Sequence, residues 1–94
     1  MTLQGRLLQA LPVEKGVTNQ GTEWMRQRFI VETLEQYPKT ICFEMSGENR
    51  LQGVTAQPND IVKVDFEISS REYQGRWYTQ CNAWRIHKAG TFTD

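Results

Sequence analysis

Two clusters in this 94-residue sequence carry side chains with chemistry to offer. In the first, Trp24, Arg26 and Arg28 recur at two-residue spacing, which in a strand sets an indole and two guanidinium groups on one face. An aromatic ring flanked by cations is a platform on which a base stacks while its phosphates are neutralised. In the second, Arg71, Tyr73, Arg76, Trp77 and Tyr78 interleave basic and aromatic residues within eight positions. Tyr73 and Arg76, at the tip of a hairpin, are the better placed of these to meet a ligand; two of the aromatics serve the core or the strand pairing. The first cluster has a structural reading of equal weight, in which Trp24 packs under a loop and the arginines pair with Glu32 and Glu44.

Reaction chemistry has little to work with. His87 is the single histidine, and its place near the end of the last strand beside Lys88 reads as a solvated surface residue. No histidine lies within a few residues of Cys42 or Cys81, so a Cys–His nucleophile pair has no local support. Two cysteines far apart in sequence supply no zinc-ligand spacing and read as small, partly buried residues. The seven glycines fit neither a phosphate-cradling loop nor a dinucleotide fingerprint. Asp65 and Glu67 share a strand face with Lys63, the pattern of a solvated exterior. The expectation is a binding protein that is not an enzyme and uses neither cofactor nor metal.

Charge gives a mixed message. Eleven Lys and Arg balance eleven Asp and Glu, so the chain lacks the overall basic excess of many nucleic-acid-binding domains. Locally the balance breaks. Ser69 to Lys88 holds four basic residues against Glu72, a net of +3, whereas Glu44 to Glu67 holds five acids against Arg50 and Lys63, a net of −3. With 38% hydrophobic and 23% charged residues the chain reads as one globular domain. No apolar run has the roughly 18–20 residues of a membrane-spanning helix, and no basic stretch followed by an apolar block suggests a signal peptide. Cytoplasmic residence with reduced thiols is the expectation.

These clusters need strands to position them, and strand periodicity dominates. Leu3 to Leu11 sets Leu3, Gly5 and Leu7 on one face, and a slip near Leu8 that brings Ala10 into line predicts a bulge. Pro12 ends that strand, and Glu14 to Thr22 reads as a loop. Trp24 to Thr33 alternates cleanly, with Met25, Gln27, Phe29 and Val31 opposite the Trp24 face. Lys39 to Met45 resumes after Pro38. Ser46 to Ala56 is the one plausible helix, of one or two turns. Ile61 to Ser69 is the clearest strand, and Tyr73 to Arg76 is a tight hairpin in which Gly75 supplies a positive φ. In the last strand, Trp77 to Ile86, the pairs Cys81/Ala83 and Trp84/Ile86 cannot all point inward without a bulge.

The order strand, strand, strand, short helix, strand, strand is the layout of an OB fold, an all-β, five-stranded barrel with its helix between strands three and four. Closure is favoured because long amphipathic strands in so short a chain must bury their apolar faces against one another. The expected core is Phe29, Val31, Phe43, Val62, Val64, Phe66 and Ile68. The domain is expected over 1–88, with a frayed tail over 89–94.

The segment Asn59 to Ile86 resembles the fourth strand, hairpin and fifth strand of bacterial single-stranded DNA-binding proteins, through Ser70-Arg71-Glu72-Tyr73 and Arg76-Trp77-Tyr78-Thr79. Nearly the whole chain also resembles a family of short bacterial proteins known as a domain of unknown function. That likeness rests on Gln4-Gly5-Arg6, on Trp24 with Phe29-Ile30-Val31-Glu32-Thr33, on Gln36-Tyr37-Pro38-Lys39, on Cys42-Phe43-Glu44, and on the hairpin through Ala83-Trp84-Arg85. The family resemblance implies an OB-like fold and brings no established activity. The DNA-binding resemblance implies base stacking on the second and third strands and on the hairpin, with Tyr73 on the hairpin aromatic, Arg71 on the preceding basic residue and Trp24 in the second-strand role. Glu44, which repels phosphate, departs from that pattern. The same resemblance implies a homo-oligomer, a dimer or tetramer paired through first strands.

Two functions follow. The first is single-stranded nucleic-acid binding, foremost DNA, in replication, recombination or repair. The second is an OB-fold module that meets other proteins, a scaffold or primosome-like adaptor, which zero net charge and Glu44 favour.

Overall fold

The computed structural model, which describes residues 1–89, turns the alternation into six strands and one short helix: β1 (Thr2–Ala10), β2 (Glu14–Val17), β3 (Glu23–Thr33), β4 (Thr40–Ser46), α1 (Glu48–Gln52), β5 (Ile61–Tyr73) and β6 (Arg76–Lys88). Five of the strands close a ring in the order β1-β5-β6-β4-β3, with β1 pairing back onto β3, and β2 extends the sheet beyond β3. β2 is the departure from the expected five strands. Four residues are too short for their alternation to register in sequence, and they become a strand because β3 offers them an edge from Glu23 to Arg26.

Closure depends on β1 serving two neighbours. Its first half pairs with β5 and its second half with β3, and Gly5 belongs to both ladders, opposite Val62 and Thr33. A Cβ there would lie 2.5 Å from the Glu32 carbonyl oxygen, so the residue must be glycine for the strands to approach. Three residues after Gly5 the expected bulge is present: Leu7 faces Val31 but Gln9 faces Ile30, leaving Leu8 extra. The last seam, between β4 and β6, is parallel and short, with Phe43 opposite Cys81 and Glu44 opposite Asn82.

Apolar alternation fills the ring. Leu7, Phe29, Val31, Phe43, Met45, Val62, Val64, Phe66, Ala83 and Ile86 are buried together, with Phe43 and Phe66 edge to face at 4.9 Å. A bulge also resolves β6: Asp65 faces Arg85 and Phe66 faces Ala83, so Trp84 is extra and points out while Ala83 and Ile86 both point in. Ile68 corrects the expected core. It has the right parity but is 49% exposed, because β5 loses its β1 neighbour beyond Phe66, and past the Phe43–Cys81 pair β5 and β6 leave the ring as a two-stranded arm. Thirteen-residue strands at about 3.3 Å per residue outrun a barrel this small, and the molecule measures 52 × 32 × 20 Å. The arm turns at Gln74-Gly75, with φ of 52° and 80°, a two-residue hairpin whose left-handed second position suits glycine.

The helix is shorter than the Ser46–Ala56 span and packs Leu51 against the core. Ala89 donates its N–H to Ile61 O, and the rest of the span expected as a tail, 90–94, lies outside the described residues.

Candidate functional site

Residues opposite one another in an antiparallel ladder share a face, so the arm's pairing sorts its side chains. Arg71 faces Tyr78, Tyr73 faces Arg76 and Ser69 faces Gln80, which places all six on one side. Glu72 faces Trp77, Ser70 faces Thr79 and Ile68 faces Cys81 on the other, where Ser70 and Thr79 hydroxyls bond at 2.9 Å. Trp77, 69% exposed, is therefore turned away from the other arm residues singled out in the sequence.

The first of these faces turns toward the barrel wall. Gln80 Nε2 donates to Glu44 Oε2 at 2.7 Å, tying the arm's base to β4. Glu44 in turn sits opposite Arg28 on β3, with Arg28 Nε 3.5 Å from Glu44 Oε1. The result is a groove floored by β4 and walled by β3 on one side and the arm on the other. Arg26, Arg28, Arg71 and Tyr78 line it together with Glu44 and Gln80. Tyr73 lines a hollow at the arm tip with Arg71 and Tyr78. Arg76 shares Tyr73's face without lining either recess.

Trp24 occupies an adjoining hollow at the other end, beside Lys15 and Gly47. Its indole lies flat over Gly16, whose missing Cβ would fall 2.3 Å from the ring, and the Arg26 guanidinium lies 5.2 Å from the ring centre. The tryptophan is 40% exposed, so part of one ring face packs on β2 and part remains open. Packing and access, posed as alternatives in the sequence, are both present.

Electrostatics are more balanced than the arginines alone suggest. Arg26 Nη2 donates to Glu14 Oε1 at 3.1 Å, and Arg28 Nη1 lies 3.8 Å from Glu14 Oε2. One carboxylate thus bridges both guanidinium groups. Glu44 pairing with Arg28 was legible in the sequence, but Glu32 makes no ion pair among the described residues, and Glu14 takes the place expected for it. Glu14 does not stand out in sequence because Glu14 to Thr22 has the composition of a loop; its only signal is position in a four-residue alternation. Arg71 and Arg76 have no ion-pair partner among the described residues; three arginines and Glu44 line the groove, and with Glu14 paired to Arg26 and Arg28 the net charge is +1.

Both cysteines border this groove, whereas the histidine lies away from it. Cys42 is exposed on β4, and Cys81 borders the same groove from β6, where burial, with Cys42 nearby, pushes its thiol above the ordinary value. His87 is half-buried rather than solvated, with Nδ1 enclosed and without a hydrogen-bond partner among the described residues, at the far end of β6. Among the described residues no cluster of His, Cys, Asp and Glu is placed to hold a metal ion, and no helix is long and apolar enough to cross a membrane.

A closed ring of five strands, with a short helix between the third and fourth and a long hairpin between the fourth and fifth, defines the OB class. Solved structures share it. The second OB-fold domain of replication protein A from Methanococcus maripaludis matches 99% of this chain and 86% of its own, with a TM-score of 0.68 at 15% identity. A mitochondrial single-stranded DNA-binding protein of S. cerevisiae matches 94% of this chain and 91% of its own, with a TM-score of 0.64 at 11% identity. The dimeric N-terminal domain of a PriB protein from Thermoanaerobacter tencongensis matches 97% and 96%, with a TM-score of 0.59 at 18% identity. At these identities the likeness is one of fold. No curated protein matches the sequence. The chain belongs to the DUF3127 family, a domain of unknown function whose model matches residues 2–87.

Proposed function

We propose that this protein binds single-stranded nucleic acid along the groove between β3, β4 and the β5–β6 arm. One observation carries the reading: the fold brings Arg26 and Arg28 beside Arg71 and Tyr78, more than forty positions away in sequence, in one open channel. Backbone phosphates run past the three arginines, while bases stack on Tyr78, on Tyr73 at the tip and on the open part of the Trp24 ring. Each stack is worth about 1–3 kcal/mol and is indifferent to sequence, because every base has a π face. Arg76 extends the basic track at the tip. Trp77 has no part in this path. Neighbours of the same fold named for single-stranded DNA binding, and for replication protein A, support the reading and a role in replication, recombination or repair. No step in this function is catalytic.

Fluorescence titration with a dT oligonucleotide at several salt concentrations tests it. Release of about 0.7 counterions per neutralised phosphate on a single strand gives a log–log slope near −2 for three arginines. Saturable binding with that slope is the expected result; no binding at low salt overturns it. Glu44 in the groove, Glu14 paired with its arginines, and the exposed Trp77–Ile68 face favour the second reading, a protein-binding adaptor. Association with a protein partner through that apolar face would persist at high salt.

A further inference from the structure

The arm has an edge that the barrel does not use. The N–H of Phe66 donates to Met1 O, and the Met1 ammonium donates to Phe66 O, so even-numbered residues of β5 direct their backbone groups away from β6. β1 ends its pairing there. Beyond Phe66 no strand among the described residues covers this side of β5, which leaves the N–H and C=O groups of Ile68, Ser70 and Glu72 on an open edge. Open edges are normally blunted, and here Glu67, Arg71 and Glu72 have no ion-pair partner among the described residues, with Glu67 and Arg71, opposite in sign, on one face about Ser69.

We propose that the partner of this edge is a second copy of the same chain, joined through antiparallel β5–β5 pairing centred on Ser69. A two-fold axis between antiparallel strands stands perpendicular to the sheet, so each residue must face one of its own parity. Centring on Ser69 sets Glu67 opposite Arg71 of the partner subunit twice over, in non-hydrogen-bonded pairs, where side chains are closest. It also joins Ile68 and Ser70 by backbone bonds and brings the two Ile68 side chains, each 49% exposed, to diagonal contact across the axis. Neighbouring registers fail. Centring on Ser70 sets Ile68 against Glu72, centring on Arg71 sets arginine against arginine, and centring on Ile68 requires Phe66, whose edge is occupied by Met1. Because the axis preserves faces, both grooves open on the same side of a continuous four-stranded ribbon.

This pairing differs from the first-strand contact expected for small barrels of this kind. It gives a specific form to the homo-oligomer that the resemblance implies and for which the dimeric PriB domain is a precedent of the same fold, and its test needs no nucleic acid, so its failure leaves the groove's function untouched. A five-residue ladder lies at the small end of protein interfaces, so a concentration-dependent monomer–dimer equilibrium is expected.

Sedimentation equilibrium on the full chain, from low to high micromolar concentration, measures it. The expected result is a dimer that Glu67→Arg and Arg71→Glu each weaken at least tenfold. Mixing those two variants restores a dimer, because every cross-strand pair is then again of opposite sign. The double variant E67R/R71E likewise dimerises with itself. Ser70→Pro removes one open-edge donor without removing a β5–β6 backbone bond, though it loses the Ser70–Thr79 hydroxyl contact, and abolishes the dimer; circular dichroism verifies its fold, and the exposed charge swaps carry the test if it unfolds. A wild-type protein that stays monomeric throughout, or a dimer indifferent to both charge reversals, overturns the proposal.

Discussion

Glu14→Gln is the perturbation that probes the groove most directly. The carboxylate stands 3.1 Å from Arg26 and 3.8 Å from Arg28, where a backbone phosphate would have to arrive. Two unit charges about 4 Å apart interact by about 1 kcal/mol in water and about 4 kcal/mol at an effective dielectric of 20. The three side chains are 37–43% exposed, which places the pairs with surface ion pairs of about 0.2–1 kcal/mol each. Two such pairs sum to about 0.4–2 kcal/mol, which an incoming strand must now displace. Removing the charge should therefore tighten oligonucleotide binding by about two- to thirtyfold. The salt dependence should also steepen, because Arg26 loses its one ion-pair partner and becomes free to shed anions, while Arg28 keeps Glu44. The same sum bounds the loss in stability, read from thermal denaturation. Titration of wild type and variant with one dT oligonucleotide at matched salt is the assay. Unchanged or weaker binding by Glu14→Gln would refute the idea that this carboxylate occupies a phosphate position.

Trp24→Ala should cost about 1–3 kcal/mol of stability, less than the 3–5 kcal/mol of a fully buried aromatic, because only part of its ring is covered on Gly16. Tyr73→Ala, at the exposed arm tip, should leave the melting temperature nearly unchanged while weakening oligonucleotide binding by about five- to a hundredfold; normal binding by that variant removes the tip from the path. Gly5→Ala forces a methyl against the Glu32 carbonyl at the ring's closure and should destabilise the fold by about 1–3 kcal/mol in urea denaturation. At pH 8, iodoacetamide should modify exposed Cys42 before Cys81, whose raised pKa leaves less thiolate at any given pH; mass spectrometry of a time course gives the order, and the reverse order contradicts it.

Much of this molecule is local in origin and was legible in the residues. Alternation in β3, β4 and β5 named six of the seven expected core residues, because a strand's two-residue period must match the single buried face of a ring. The Leu8 slip and the conflict within β6 foretold two bulges, since one extra residue is the only way to keep apolar side chains on one side of a continuous strand. Gly75 marked the arm's turn through its backbone freedom. What pattern does not carry is distance between elements. Ile68 continues the apolar alternation of β5, yet nothing in its neighbours records that the ring ends at Phe66. Trp77 looks like a member of its cluster until ladder pairing assigns it to the opposite face. Glu14 becomes a groove residue only because β2 finds an edge on β3, and Arg71 meets Arg28 only because β4 and β6 close the ring with a short parallel seam. Side-chain periodicity is set within a few residues of chain, whereas the groove is set by which strand edges meet, and that is decided when the whole ring closes at once.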